Sequence, residues 1–238
     1  MHNEMEERSL SLTAQLRKKA DPLFQQIYQH PFVQGIKKGE LGADQLIHYV
    51  QQDYQYLSSF AQIYALAMTK CRTREDMAFF HDNIHFIFYS ETHPHRNLCQ
   101  VAGVDFDQLD KEVPLAPSAR NYMNHMLVSA QSSLADLYSA LLPCPWTYIE
   151  IAERMMEELK PSEDHPFYDW MHFYTTDEMT GLLQALCQRL DQLASQLTAE
   201  DQKRVQEIFL ISCDHEYRFW EMAYTLEQYP FYQKGVDQ

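Results

Sequence analysis

Apolar residues recur at three- and four-residue intervals along nearly the whole of this 238-residue chain, the spacing of helices that bury one face. Leu10 to Gln29 is the first such stretch, with Leu12, Leu16, Leu23, Phe24 and Ile27 as its apolar set. Asp21-Pro22 is expected to interrupt it, as a kink or as the junction of two helices. His30-Pro31-Phe32 restarts a short helix with proline at its first position, loosened by Gly35 and ended by Gly39. Ala43 to Lys70 predicts the first long helix, with Tyr49, Asp53, Tyr56, Phe60, Ile63 and Ala67 on one stripe. Thr73-x-x-Asp76 then signals a helix start. That helix runs through Phe79, Phe80, Ile84, Ile87 and Phe88 to about Thr92, where His93-Pro94 disturbs it; it resumes to Val101 and stops at Gly103.

The second half repeats the pattern. Asp105 to Pro117 is an acidic loop, after which Ser118 is expected to cap a helix carrying Tyr122, Met126 and Ser129. Ser133-x-x-Asp136 opens a long helical pattern to Lys160, and His165-Pro166-Phe167 starts a short helix ending near Tyr174. Thr176 is expected to cap a helix with Leu182, Leu183, Leu186, Cys187, Leu190 and Leu193 inward. Thr198-x-x-Asp201 caps the last long helix, which runs to about Tyr224. No alternating strand of useful length interrupts this series. The expectation is an all-α fold, one domain over 1–238, built as a bundle of long helices around a ligand pocket.

Composition narrows the function classes. A formal net charge of −15 argues against a nucleic-acid partner and against anionic membranes, both of which call for clustered Lys and Arg. Six glycines, with neither a dinucleotide fingerprint nor a P-loop, argue against those nucleotide sites. Five cysteines with no C-x-x-C pair read as reduced thiols in a cytoplasmic protein. The opening MHNEMEERSL has no apolar core of a signal peptide, and no apolar run is long enough to cross a bilayer.

Three inward polar groups stand out against this background. The first is Cys144 in LLPCPWTYIE (141–150). Pro143 and Pro145 remove two backbone N–H groups there, so the helix must kink or break and open space beside the thiol. Tyr148 lies one turn on, and Trp146 and Ile149 read as packing residues. A lone cysteine among apolar residues is most often a small hydrophobe; a nucleophile needs a partner group. The second is Asp53, a carboxylate in an aromatic row, which must be paired with a neighbouring Tyr or Arg or must bind something. The third is Glu216, on the last helix in a stripe with Phe209, Cys213, Trp220 and Ala223. Burial would raise its pKa toward the range of a neutral-pH acid and base. His81, His85, His93 and His95 form a cluster in which His81 and His85 could reach a metal, but no zinc or di-iron motif accompanies them, and no metal site is expected.

These residues sit in a set of ordered strings, HPFVQGI (30–36), YVQQDYQYL (49–57), NYMNHM (121–126), LLPCPWTYIE (141–150), HPFYDWMHFY (165–174) and EYRFWEMAY (216–224). Together they resemble the thiaminase II (TenA) family. The resemblance implies a haem-oxygenase-like helical bundle without haem or other cofactor, assembled as a homotetramer. It implies hydrolysis of 4-amino-5-aminomethyl-2-methylpyrimidine to the hydroxymethyl pyrimidine and ammonia, and of thiamin to pyrimidine and thiazole, in thiamin salvage. It further implies Cys144 as nucleophile and Glu216 as acid and base. Asp53 would bond the ring nitrogen and exocyclic amine, and Tyr56, Tyr122, Tyr148 and Tyr174 would line and orient the site. Cys144 places the chain in the cysteine-containing branch. Around these positions Pro145, the run Cys213-Asp214-His215, and Thr175-Thr176 depart from the pattern.

Two other readings compete. One is an oxidoreductase of the same broad fold, of the pyrroloquinoline-quinone synthase or di-iron type, motivated by the four histidines. The other is a pyrimidine-binding regulator without turnover.

Overall fold

The computed structural model describes residues 10–90 and 92–233, and among them every regular element is a helix. The segment MHNEMEERS, where the signal-peptide question lies, falls outside the described residues. The helices are α1 (Leu12–Tyr28), α2 (Pro31–Lys38), α3 (Ala43–Met68), α4 (Arg74–Tyr89), α5 (Thr92–Val101) and α6 (Pro117–Gln131). They continue as α7 (Leu134–Leu141), α8 (Pro143–Leu159), α9 (Tyr168–Tyr174), α10 (Asp177–Ala194), α11 (Ala199–Thr225) and α12 (Pro230–Gln233). Two long helices organise the bundle. The last, α11, packs on α1, α2, α3, α6, α7 and α8, while α3 packs on α4, α5 and α6. Among the described residues no helix is long and apolar enough to cross a membrane.

Local chemistry sets most of the boundaries. Thr73, Ser133 and Thr198 each accept the backbone N–H three residues on, from Asp76, Asp136 and Asp201. Each such cap contributes about 1 kcal/mol. Asp136 also reaches back to the Ser133 N–H and, fully buried, holds the Arg204 guanidinium at 3.0 Å. The two His-Pro-Phe strings make one device twice. The imidazole Nδ1 of His30 accepts the Phe32 N–H at 3.1 Å, and that of His165 accepts the Phe167 N–H at 3.2 Å. The other nitrogen of His165 then donates to the Lys37 carbonyl, so the second string docks on the end of the helix the first one opens.

Some expectations shift. α1 runs unbroken through Pro22, because Pro22 lies on the exposed side where water replaces the lost backbone bond. The break expected at His93-Pro94 comes earlier, at Ser90, and Pro94 sits in the first turn of α5, where no N–H is needed. Ser118 is not the cap of α6. Ala116 holds that position with Pro117 after it, and the Glu227 carboxylate accepts the Ser118 N–H at 2.9 Å. The helix expected at His165 begins at Tyr168, since the histidine device occupies the first turn. Thr176 precedes α10 but turns its hydroxyl back to the Phe173 carbonyl.

Gly39 ends α2 in the left-handed region at φ +73°, and a β-carbon there would lie 3.3 Å from Pro166. Gly39→Ala is expected to lower stability by about 1–2 kcal/mol, read from urea unfolding, with no loss of helix by circular dichroism.

Candidate active site

The helical pattern over Ser133 to Lys160, expected to kink or break at the two prolines, is divided into α7 and α8 at Leu142. Leu142 keeps helical angles, φ −54° and ψ −40°, so the chain runs on in the same sense. Its N–H still reaches the Tyr138 carbonyl, and its own carbonyl receives the Trp146 N–H at 3.2 Å. Pro143 and Pro145 give no N–H to the carbonyls of Ser139 and Leu141 four residues back. Cys144 lies between them, half-buried, in the first turn of α8. Trp146 packs edge-on against Phe24 and Phe209, as a packing residue should.

Cys144, Pro145 and Tyr148 of α8 form one wall of an internal cavity. Asp53 of α3, Tyr174 at the end of α9, and Leu182 of α10 close other sides. Asp53 is 6% exposed. Its partner is neither a tyrosine nor an arginine but His95, whose Nε2 stands 2.7 Å from Oδ2 in a buried contact. The His95 Nδ1 is buried with no hydrogen-bond partner. The contact is a hydrogen bond in which the ring Nε2–H donates to the carboxylate. Sequence reasoning grouped His95 with three other histidines as a possible metal cluster. The four do not converge: His81 is exposed beside Asp82, His85 packs on Tyr89, His93 on Phe173, and His95 alone points inward. Among the described residues no group of three or more His, Cys, Asp or Glu is placed to hold a metal.

Glu216, Tyr122 and Tyr56 stand behind this cavity rather than on its wall. Glu216 is 2% exposed on α11, and burial pushes its carboxyl up from the ordinary range to about 8. Hydrogen bonds from Tyr122 and Thr147 oppose that rise, and the Asp53 charge adds to it. The Tyr122 hydroxyl donates to Oε1 at 2.7 Å. The Thr147 hydroxyl is 3.2 Å from Oε2 and also 3.2 Å from the Cys144 carbonyl. One hydroxyl proton cannot serve both acceptors. A protonated Glu216 donating to Thr147, with Thr147 donating to the Cys144 carbonyl, satisfies all three groups. The acid is thereby tied to the backbone of the thiol-bearing residue through Thr147, a residue that sequence reasoning missed although it lies one turn past Cys144.

The tyrosines divide into two rows. Tyr148 and Tyr174 line the cavity, with ring centroids 5.1 Å apart. Tyr148 shares a 2.7 Å hydrogen bond with the hydroxyl of Tyr49, which stacks on Trp220 at 3° between planes. Tyr56 packs its ring on Tyr122 and Phe219 and gives its proton to the Met126 sulfur. Burial pushes the phenols of Tyr49, Tyr56, Tyr122 and Tyr148 well above their ordinary range, so all four are neutral. Tyr49 lay on the same helical stripe as Asp53, and that stripe was its signal. The run Cys213-Asp214-His215 finds a purpose here. His215 lies flat on Tyr122 at 5.1 Å, and burial lowers its pKa to about 4, so a neutral ring backs the tyrosine that holds Glu216.

A haem-oxygenase-like helical bundle whose core holds a thiol, two carboxyl groups and a ring of phenols around a small cavity is the class this geometry defines. The chain belongs to the TENA/THI-4/PQQC family, which matches residues 17–226. It is 33% identical over 226 residues to the aminopyrimidine aminohydrolase of Staphylococcus aureus, covering 93% of this chain and 97% of that protein. The solved TenA homologue from P. horikoshii OT3 superposes with a TM-score of 0.80 at 25% identity, over 91% of this chain and 99% of the other. A domain from Shewanella denitrificans with a heme oxygenase-like fold superposes at 0.66 with 15% identity, over 96% and 97%, a likeness of fold.

His95→Ala would leave the Asp53 carboxylate buried without its donor, and is expected to cost about 3 kcal/mol in urea unfolding. His95→Gln keeps an N–H at the same reach and should recover most of that loss.

Proposed function

We propose that the protein is an aminopyrimidine aminohydrolase of the thiaminase II type, converting 4-amino-5-aminomethyl-2-methylpyrimidine and water to the hydroxymethyl pyrimidine and ammonia, and cleaving thiamin at the same bond. The observation that carries this reading is the hydrogen-bonded line from Tyr122 through Glu216 and Thr147 to the backbone carbonyl of Cys144, whose side chain faces the cavity. The identity to a curated aminohydrolase over nearly the full length supports it.

The chemistry follows from the residues. A group on a CH2 attached to an aromatic ring leaves slowly while the ring keeps its aromaticity. The Cys144 sulfur, as thiolate, forms a bond to the ring carbon adjacent to the one bearing the CH2. The ring electron pair released by that addition forms an exocyclic double bond and expels the amine, which takes the Glu216 proton. The resulting carboxylate accepts a proton from water as its oxygen bonds to the CH2. The electron pair of the double bond returns to the ring, which regains its aromaticity as the carbon–sulfur bond breaks. The Asp53 carboxylate, held by His95, would bond the amidine-like edge of the ring and stabilise its protonated, more electrophilic form. Tyr148 and Tyr174 suit a flat heterocycle as aromatic walls, while Tyr122 and Tyr56 hold and back the acid.

The same reading takes residues 1–238 as one domain, supported by a site drawn from α3, α8 and α11. It takes the protein as a cytoplasmic homotetramer that works without cofactor. The five cysteines, none in a disulfide, support the reducing compartment, and exposed Phe88, Tyr89 and Val128 offer apolar surface for self-association.

Mixing purified protein with the aminomethyl pyrimidine should release ammonia, and Cys144→Ala should release none above background; full turnover by the variant would remove the nucleophile. In the wild type kcat/KM for ammonia release should fall as pH rises through about 8, because the acid form of Glu216 is then lost. Glu216→Gln should be slower by about 100-fold or more and should lack that alkaline limb.

A further inference from the structure

The acidic loop between α5 and α6 holds no regular element over 105–116, yet side chains of α3 fix it along its length. The side-chain amides of Gln51, Gln52 and Gln55 donate to the carbonyls of Asp110 at 2.8 Å, Pro114 at 3.1 Å and Val113 at 2.8 Å. Oε1 of Gln52 also accepts the Ala116 N–H at 2.8 Å, so this buried amide is used from both ends. Within the loop, Asp105 and Asp110 each accept the backbone N–H two residues on and turn the chain locally. An irregular segment whose backbone groups are paired in this way lies on the protein as a strap.

The strap carries one buried aromatic ring. Phe106 is 7% exposed, and its ring centroid lies 5.9 Å from that of His95, with 31° between the planes. Arg96 of α5 and Lys111 of the strap stand over the same ring at 4.9 and 4.5 Å. Arg96 also grips Asp107 through both terminal nitrogens, at 2.9 and 2.8 Å, so the ring is tied in from two sides of the chain. His95 needs such a neighbour. Its Nε2 bonds Asp53 at 2.7 Å, but its Nδ1 has no hydrogen-bond partner. One hydrogen bond fixes a point on an imidazole and leaves its plane free to turn; a second bond, on the other ring nitrogen, commonly sets that plane. Here the Phe106 ring takes that part.

We propose that the strap is a positioning element for Asp53, acting through His95, and that Phe106 is its positioning residue. The inference rests on the aminopyrimidine reading, in which the Asp53 carboxylate takes the amidine-like edge of the substrate. Phe106 is not on the cavity wall. Its ring sets the plane of His95, the imidazole sets the direction of the Asp53 carboxylate, and the carboxylate sets the pose of the pyrimidine. Gln52 and Gln55 flank Asp53 on α3, so the strap holds the helix segment that carries the carboxylate as well as the imidazole bonded to it. Loss of the Phe106 ring leaves Cys144 and Glu216 where they are and loosens the edge at which the substrate is recognised. Substrate binding therefore suffers more than turnover of the bound complex.

The test is calorimetric binding of the hydroxymethyl pyrimidine, with steady-state ammonia release from the aminomethyl pyrimidine alongside. Phe106→Ala is expected to raise Kd by about 10-fold and KM by a similar factor, with kcat lowered by less than about 3-fold. Phe106→Tyr keeps the ring and should bring Kd back to within about 2-fold of wild type. Phe106→Leu fills most of the space without a flat face; it should fall between the two, and it carries the test where Phe106→Ala does not fold. The sharpest comparison uses a His95→Gln background, which has no imidazole plane to hold. There Phe106→Ala should change Kd by less than about 2-fold, whereas a role in packing alone would give the same factor in both backgrounds. Equal factors in the two backgrounds, or a Kd unchanged by both Phe106→Ala and Phe106→Leu, would overturn the inference and leave the aminohydrolase reading standing. Wild-type protein that neither binds the pyrimidine nor releases ammonia would sink that reading and this inference with it.

Discussion

The site depends on one carboxyl group buried away from bulk solvent. Glu216 sits in the middle of the last long helix, among Phe219, Trp220 and Cys213 on the buried side. An ionised carboxylate there would lack the solvation that stabilises it, and two neutral hydroxyls offset only part of that loss. The group therefore holds a proton at neutral pH, and the proton completes the hydrogen bonding of Thr147 and of the Cys144 carbonyl. Acid and thiol are thus placed by the same contact. The two prolines that break the ladder before α8 let Cys144 stand at the cavity wall while its backbone stays joined to the acid behind it.

The second carboxyl is treated in the opposite way. Asp53 is nearly as buried as Glu216, yet it faces an imidazole at 2.7 Å rather than two neutral hydroxyls. With the His95 Nε2–H donating to Oδ2, Asp53 keeps acceptor capacity on its other lone pairs. Two carboxyl groups in one core are thereby set to different tasks by what each is bonded to. The phenols between them, with ordinary titration pushed out of reach by burial, carry no charge of their own and act as fixed walls.

The helical order of the chain was legible because each element advertises itself locally. Thr73, Ser133 and Thr198 precede an Asp at the third position, Gly39 and Gly103 end their helices in the left-handed region, and the stripes of α3 and α11 are buried as their spacing predicts. What the sequence hid was set by tertiary contacts. Glu227 takes the N–H that Ser118 was expected to leave for a cap, and Pro22 is tolerated only because it faces water. In the site, Asp53, Cys144 and Glu216 were visible as polar residues on apolar faces. His95 was not, because its neighbours in sequence are three histidines that point elsewhere. Thr147 was hidden for a similar reason: a threonine inside a helix carries no signal until its partner on another helix is known. The split of the tyrosines into a lining row and a supporting row is likewise a matter of depth, which helical spacing does not encode.

The most direct measurement of this account is the protonation state of Glu216, read as the carbonyl stretch of a buried carboxylic acid in infrared difference spectra of wild type against Glu216→Gln. The account predicts an acid band present at neutral pH that disappears as pH rises through about 8, with no such band in the variant. A Glu216 already ionised near pH 6, with a carboxylate band in place of the acid band, would contradict it. The proton that the proposed mechanism gives to the leaving amine would then be absent from Glu216.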